Sequence, residues 1–345
     1  MNYKLLGSTG LRVSELCLGA MTFGTEWGTG ADYEESKKIF DLFAQQGGNF
    51  IDTANRYTEG TSEKFLADFI AHDRDYFVIA TKYSLLEKRG DVNAAGNQRK
   101  NMIRTLEASL KRLRTDYIDL FWVHAWDFMT PAEEVMRGLD DLVRAGKVHY
   151  VGISDAPAWV VAHCNTLAQA RSWAKFEALQ IEYSLIERTV ERDLIPMAKY
   201  FGLAIMPWSP LGAGILTGKY NQGFPTEKVR LSEKSVKYNA RNLEIARLVS
   251  QVAQELGYTP TQVALAWILQ KGYHFIPILG ARTAEQLQDA LGCLHVKLPT
   301  EAIQLLDEKS AVPLGFPHQF LRGEVVRDLL TAGMEAKIIK RPENY

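Results

Sequence analysis

The sequence predicts a single α/β domain over residues 1–345, a (β/α)8 barrel of the TIM type with an N-terminal β-hairpin cap and a C-terminal extension at 313–345. Two observations predict it. Eight short apolar runs alternate with amphipathic segments along most of the chain, and near-continuous apolar strands each followed by a helix imply a parallel sheet covered by helices. Eight such units are the number that closes a barrel. The competing open, doubly wound sheet calls for a GxGxxG turn after its first strand; "LGAMTFG" (18–24) has none, and "GAGILTG" (212–218) misses the spacing by one residue and follows the seventh run.

In front of the first run, "YKLLGSTGLRVS" (3–14) reads as two short strands about a Gly-rich turn, a hairpin able to cap one end of the barrel. The apolar runs are "ELCLGA" (15–20), "NFID" (49–52), "FVIAT" (77–81), "YIDLFWV" (117–123), "VHYVGIS" (148–154), "ALQIE" (178–182), "LAIMPW" (203–208) and "HFIPILG" (274–280). Helical periodicity falls at 33–47, 61–72, 98–114, 132–145, 157–173, 190–201, 240–256 and 283–291. The best marked start is Thr130-Pro131-Ala132-Glu133, a Thr N-cap with Pro at the first helical position and Glu at the third. Residues 313–345 fit no unit and are expected to pack outside the barrel. Their Val325, Val326, Leu329 and Leu330 fall at helical spacing, which suits packing on the parent domain and leaves a homo-oligomer contact open.

Composition narrows the partners. With 40 basic against 41 acidic side chains, 23% charged and 46% hydrophobic residues, the chain has an ordinary soluble composition and no call for nucleic acid. The densest basic stretch (99–114) sets Ile103, Leu106, Leu110 and Leu113 on one helical face, which leaves its Arg and Lys side chains to solvent. No apolar run approaches the ~18 residues of a membrane span, and the start lacks a leader pattern. A cytoplasmic protein with no membrane partner is expected. Cys17, Cys164 and Cys293 lie far apart with no CxxC, and the seven histidines form no HxxxH or HExxH pair; no metal site is expected.

Barrels of this kind carry their chemistry at the C-terminal ends of the strands. The polar residues there are Asp52 with Tyr57 just after, Lys82, His124, Ser154 and Asp155, Gln180, and Trp208 with Ser209. Asp, Tyr, Lys and His on one face suit the delivery of a proton to a carbonyl that receives a hydride. A free phenol with a pKa near ~10 is a weak acid at neutral pH unless its anion is stabilised. A buried Lys82 beside Tyr57 does that; Asp52 keeps the lysine charged, and a neutral His124 donates to the developing oxyanion.

The set Asp52, Tyr57, Lys82 and His124, in this order on successive strands, resembles the catalytic tetrad of the aldo-keto reductase superfamily. "LGAMTFG", "IDTANRY", "ATKY", "YIDLFWVH", "GKVHYVGISD" and "PWSPLGAGILTGKY" resemble family segments in family order, over about residues 3 to 311. "GNQRKN" (96–101) with "HAWDFMTPAEEVM" (124–136) is most similar to the aryl-alcohol dehydrogenase-like branch. The resemblance implies a nicotinamide coenzyme, usually NADPH, bound extended without a Rossmann fold, and reversible reduction of aldehydes or ketones.

By the same carry-over Tyr57 is the proton donor, with its pKa lowered by Lys82 and Asp52, and His124 orients the carbonyl. Ser154, Asp155 and Gln180 hold the carboxamide, and Trp208 stacks on the nicotinamide. Ser209, Leu211, Gly214 and Lys219 meet the pyrophosphate, while Gly280, Arg282, Gln286 and Asp289 meet the adenosine end. Two positions depart from the pattern: Asp155 stands where many members carry Asn, and Ala290 cannot hydrogen-bond adenine. NADP is therefore the lean and NAD stays open, with Arg282 suited to fork onto a 2′-phosphate. Met21, Trp27 and Tyr83, with Trp126 and Asp127, would form a mouth suited to a planar aryl carbonyl compound. Two other readings stand beside this one: NAD(P)-linked oxidation of a secondary or sugar alcohol, and a cofactor-sensing binding subunit with slow turnover.

Overall fold

The structure, a computed structural model, describes residues 1–225 and 231–339. Strands β1 (Tyr3–Leu5) and β2 (Arg12–Ser14) pair antiparallel as the hairpin. The eight strands that follow form one parallel sheet: β3 (Cys17–Gly19), β4 (Phe50–Asp52), β5 (Val78–Tyr83), β6 (Ile118–Val123), β7 (Val148–Ser154), β8 (Phe176–Glu182), β9 (Ala204–Trp208) and β10 (Ile278–Gly280). Its order is β10-β3-β4-β5-β6-β7-β8-β9. Closure comes from an isolated parallel bridge between Ile205 and Phe275, with Ile205 N donating to His274 O at 2.7 Å and Ile276 N to Ile205 O at 2.8 Å. The last strand is shorter than the run 274–280 because Pro277 has no N–H to give the ladder.

Around the barrel lie α1 (Tyr33–Gln45), α2 (Thr61–Phe69), α3 (Arg99–Leu113), α4 (Ala132–Arg144), α5 (Ala158–Arg171), α6 (Leu194–Tyr200), α7 (Ala240–Leu256), α8 (Pro260–Leu269) and α9 (Ala284–Leu291), followed by α10 (Thr300–Ser310), α11 (His318–Arg322) and α12 (Glu324–Leu330). The periodicity reading misses α8 because "PTQVALAWIL" is apolar nearly all round and is buried as a core helix. Its start is a capping box between Thr259 and Gln262. On α3 the buried face includes Met102 and excludes the expected Ile103, which is exposed. At the start of α4 the N-cap is Pro131, and the Thr130 hydroxyl donates to Asp127 Oδ2 at 2.8 Å, so the expected Thr cap is absent.

Alternation along the strands divides the core in two. Phe50, Val78, Ala80, Leu120, Trp122, Ala178, Ala204 and Met206 point into the barrel with Leu6 and Val13 of the hairpin. Ile51, Ile79, Phe121, Ile153 and Leu179 point outward against the helices. The hairpin therefore plugs the barrel end at which the strands begin, and the opposite end is left for chemistry. The C-terminal extension packs less than expected: Val325, Leu329 and Leu330 are exposed, and Val326 is half-buried.

Candidate active site

Continuing the inward alternation by one step places the polar side chains. Phe50 points inward on β4, and so does Asp52; Val78 and Ala80 point inward on β5, and so does Lys82. The Lys82 side chain is fully buried. Its ammonium donates to Asp52 Oδ2, to Thr53 O at 2.8 Å and to the Tyr57 hydroxyl at 3.1 Å. Gln180, inward on β8, donates from Nε2 to Asp52 Oδ1 at 3.0 Å. Both oxygens of the buried carboxylate are thus occupied.

Tyr57 does not sit on a strand, and a turn brings it back over Lys82. Thr58, Glu59 and Gly60 all have positive φ (46°, 57° and 87°). The bend is fastened by the Thr58 hydroxyl, which donates to Phe23 O at 2.6 Å and accepts from Ser62 N at 3.2 Å. The Lys82 ammonium lies 4.7 Å from the centre of the Tyr57 ring. That ring meets His124 edge-on at 5.9 Å and Trp27 edge-on at 6.4 Å.

Burial dominates the titration of these groups. The Tyr57 phenol stands above its ordinary value: burial is the largest cause, the Lys82 charge pulls it down, and the Asp52 charge pushes it up. This corrects the expectation that Lys82 with Asp52 brings a net lowering. Burial alone would pull Lys82 down, yet the charges of Asp52 and Tyr57 outweigh it and its pKa is raised, which keeps the ammonium charged. Burial raises Asp52, against the pull of Lys82.

His124 is driven well below its ordinary value of 6.5, by burial first and by the Lys82 charge second. Its ring is therefore neutral, and its buried Nδ1 has no hydrogen-bond partner among the described residues. Below pH 6.5 the unfolded chain takes up a proton that the folded ring refuses, so stability falls as pH falls. Urea unfolding is expected to show the wild type losing about 1.4 kcal/mol per pH unit below 6.5 relative to His124→Gln, until the folded ring titrates. A stability difference independent of pH would contradict this.

Around this centre, Ser154 ends β7 and is buried. Asp155 follows with a positive φ of 43° and accepts from Trp208 Nε1 at 3.1 Å, which fixes the indole edge. Beyond Trp208 the backbone enters the left-handed region at Ser209, Gly212, Ala213, Gly214 and Gly218. Such concave turns present N–H groups to an anion. Ser209 Oγ accepts from Ala213 N at 3.0 Å. A Cβ on Gly214 would lie 3.0 Å from Lys219 Nζ, so only glycine leaves that space beside the ammonium. Leu211 opens the same turn.

Past β10, Gly280 faces open space, and Arg282 N donates to Gln286 Oε1 at 3.0 Å. The α9 N-terminus is held by Thr283, which accepts from Gln286 N, and by Glu35 of α1, which accepts from Ala284 N at 2.7 Å. No local signal marks Glu35 for this place, because α1 and α9 are brought together by barrel closure. The orphan His124 Nδ1, the left-handed cradle beside Lys219 and the edge-fixed Trp208 together suit a nicotinamide dinucleotide.

Three expected site residues do other work. Tyr83 points outward by strand alternation, fully buried and stacked on Phe121 at 5.2 Å, so it is no part of a substrate mouth. Asp127 binds its own loop: its carboxylate accepts from Asn97 N (2.7 Å), Met129 N (2.8 Å) and Thr130 N (2.9 Å). Burial opposes its charge, but these donors hold its pKa below the ordinary value. Asn97 returns the clasp, accepting from Asp127 N at 2.7 Å, so the segments "GNQRKN" and "HAWDFMTP" hold each other. Asp289 accepts from Thr259 Oγ1 at 2.8 Å and from Gln262 Nε2 at 3.1 Å, both at Oδ1, and ties α9 to the start of α8. Met21 and Trp126 stay half-buried and Trp27 exposed. From the sequence, substrate choice is expected to depend on the loops 84–101 and 221–239; residues 226–230 of the second lie outside the described residues.

The sequence model of the Aldo/keto reductase family matches residues 15–311. Norsolorinic acid reductase stcV of Emericella nidulans is 40% identical over 331 residues, covering 90% of this chain and 82% of that protein. An aryl-alcohol dehydrogenase designated NADP(+) from Phanerodontia chrysosporium is 38% identical over 335 residues, 91% of this chain and 87% of that protein. Norsolorinic acid reductase B of Dothistroma septosporum is 38% identical over 343 residues, 94% and 85% of the two chains. A match spanning the barrel from β3 to beyond α10, in a chain whose strands carry Asp52, Lys82 and His124 to one end, gives the assignment: this protein belongs to the aldo/keto reductase family and is an NAD(P)H-dependent oxidoreductase.

Proposed function

We propose that this protein reduces aldehydes, aromatic ones foremost, to alcohols with NADPH, and that Tyr57 delivers the proton. The observation that carries this reading is the hydroxyl of Tyr57 at 3.1 Å from an ammonium that Asp52 holds in place. The bound coenzyme supplies a hydride to the carbonyl carbon. Tyr57 gives its proton to the carbonyl oxygen, so hydride and proton together turn C=O into CH–OH. The phenolate left behind faces Lys82, whose charge stabilises it more than the neutral phenol. Neutral His124 donates to the oxygen as charge builds there. Ser154, Asp155 and Gln180 would hold the carboxamide, Trp208 the nicotinamide face, Ser209, Leu211, Gly214 and Lys219 the pyrophosphate, and Gly280, Arg282 and Gln286 the adenosine end.

The aromatic preference is supported by Trp27 packed edge-on to Tyr57 and by half-buried Trp126, two residues after His124. The NADPH preference is supported by Arg282, whose guanidinium forms no ion pair among the described residues, and by the NADP(+) designation of one relative. Coenzyme consumption with benzaldehyde and with hexanal tests both. NADPH is expected to be used at least about tenfold faster than NADH, and benzaldehyde faster than hexanal. Equal use of both coenzymes would remove the NADPH preference, and faster hexanal reduction the aromatic one.

A further inference from the structure

We propose that Asp155 tunes the coenzyme by charge: its carboxylate makes the site hold the oxidised, positively charged nicotinamide more tightly than the neutral reduced ring, which draws the bound reactants toward oxidised coenzyme and alcohol, the direction of aldehyde reduction. The inference rests on the reading above that the nicotinamide lies against Trp208.

Of the carboxylates Asp52, Glu182 and Asp155, two are ion-paired among the described residues. Asp52 is paired with Lys82. Glu182, at the end of β8, is paired with Lys237, whose ammonium lies 5.6 Å from the centre of the Trp208 ring. Asp155 accepts from Trp208 Nε1 at 3.1 Å and forms no ion pair among the described residues. It is the unpaired one of these three, and its carboxylate touches the edge of the indole. A planar ring laid on the face of Trp208 has that carboxylate at its margin.

An asparagine would perform every other task at this position. Its carbonyl oxygen would accept from the indole N–H, and Asn tolerates the positive φ of 43° as well as Asp does. What the carboxylate adds over the amide is charge alone. That charge reaches the reacting centre, because it contributes to raising the Tyr57 phenol; burial is the largest cause acting on Asp155 itself and raises it, while the Trp208 N–H and the Lys82 charge pull it down. Oxidised nicotinamide carries a positive charge that the reduced ring lacks, so a carboxylate beside it favours one redox state by Coulomb attraction.

The test is the binding of NADP+ and NADPH, by titration calorimetry, to the wild type and to Asp155→Asn. The variant is expected to bind NADP+ about tenfold more weakly and NADPH within about twofold of the wild type. The loss should shrink at high salt, as a charge effect at a partly open site must. A parallel change in both affinities, or undiminished NADP+ affinity, would overturn the proposal while leaving the coenzyme reading intact. In the wild type alone, NADPH binding about tenfold or more tighter than NADP+ at low salt would also overturn it. Binding of neither coenzyme to the wild type would overturn both.

Discussion

Replacing Lys82 with Met is expected to lower aldehyde turnover by about a thousandfold and to destabilise the fold by about 3–5 kcal/mol. The ammonium is fully buried among three acceptors: Asp52 Oδ2, Thr53 O and the Tyr57 hydroxyl. Removing it leaves the Asp52 carboxylate inside the barrel with Gln180 Nε2 as its remaining side-chain hydrogen-bond donor. It also removes the charge that faces the Tyr57 phenolate at the moment of proton transfer. The two losses are separable. In the double variant Lys82→Met/Asp52→Asn the stranded charge is gone, so urea unfolding should recover most of the stability while turnover stays low. Recovery of turnover together with stability would mean that Lys82 acts only as a structural partner of Asp52.

Tyr57→Phe removes one oxygen and little else. The ring contacts with His124 and Trp27 are retained, and the residues proposed to hold the coenzyme are unchanged. The effect is therefore expected on kcat, about a thousandfold, with coenzyme affinity within about twofold. The wild-type pH profile follows from the direction of the Tyr57 shift. Because its pKa lies above the ordinary value of 10, the phenol is protonated throughout the neutral and mildly alkaline range. Aldehyde reduction, which needs the proton, should be insensitive to this group until the pH exceeds 10 and fall beyond it. Alcohol oxidation, which needs the phenolate, should rise as the pH approaches that point.

The barrel was legible because eight parallel strands must be apolar on both faces, and their runs stand out against the helices. The rule that barrels carry their chemistry at the C-terminal ends of the strands brought Asp52 and Lys82 together without any knowledge of the turn that returns Tyr57 over them. What stayed hidden depends on contacts between elements far apart in sequence. Nothing local to Asp127 or Asn97 tells that they clasp two loops, and nothing local to Glu35 tells that it occupies the start of α9. Asp289 reads as an end-of-helix polar residue until the position of α8 is known, and α8 itself lacks the two-sided pattern that marks a surface helix. Tyr83 is the instructive error. It follows Lys82 at a strand end, but alternation sends successive side chains to opposite faces, and that alone places it in the outer core.

The Tyr57 pKa runs opposite to the sequence expectation for a related reason. Burial, the largest cause, raises the phenol; Lys82 pulls it down, and Asp52 behind the lysine pushes it up again. The lysine's service to the reaction is then the stabilisation of a phenolate as it forms, in preference to ionising the phenol beforehand.

The central claim, that Tyr57 held by Lys82 and Asp52 protonates a carbonyl reduced by the nicotinamide coenzyme, is met most directly by a single-turnover experiment. Wild-type protein and Tyr57→Phe, each saturated with NADPH, are mixed rapidly with benzaldehyde, and oxidation of the bound coenzyme is followed in time. Fast oxidation in the wild type, slowed by about a thousandfold in the variant at equal NADPH occupancy, is the predicted result. Equal rates in the two proteins would contradict it.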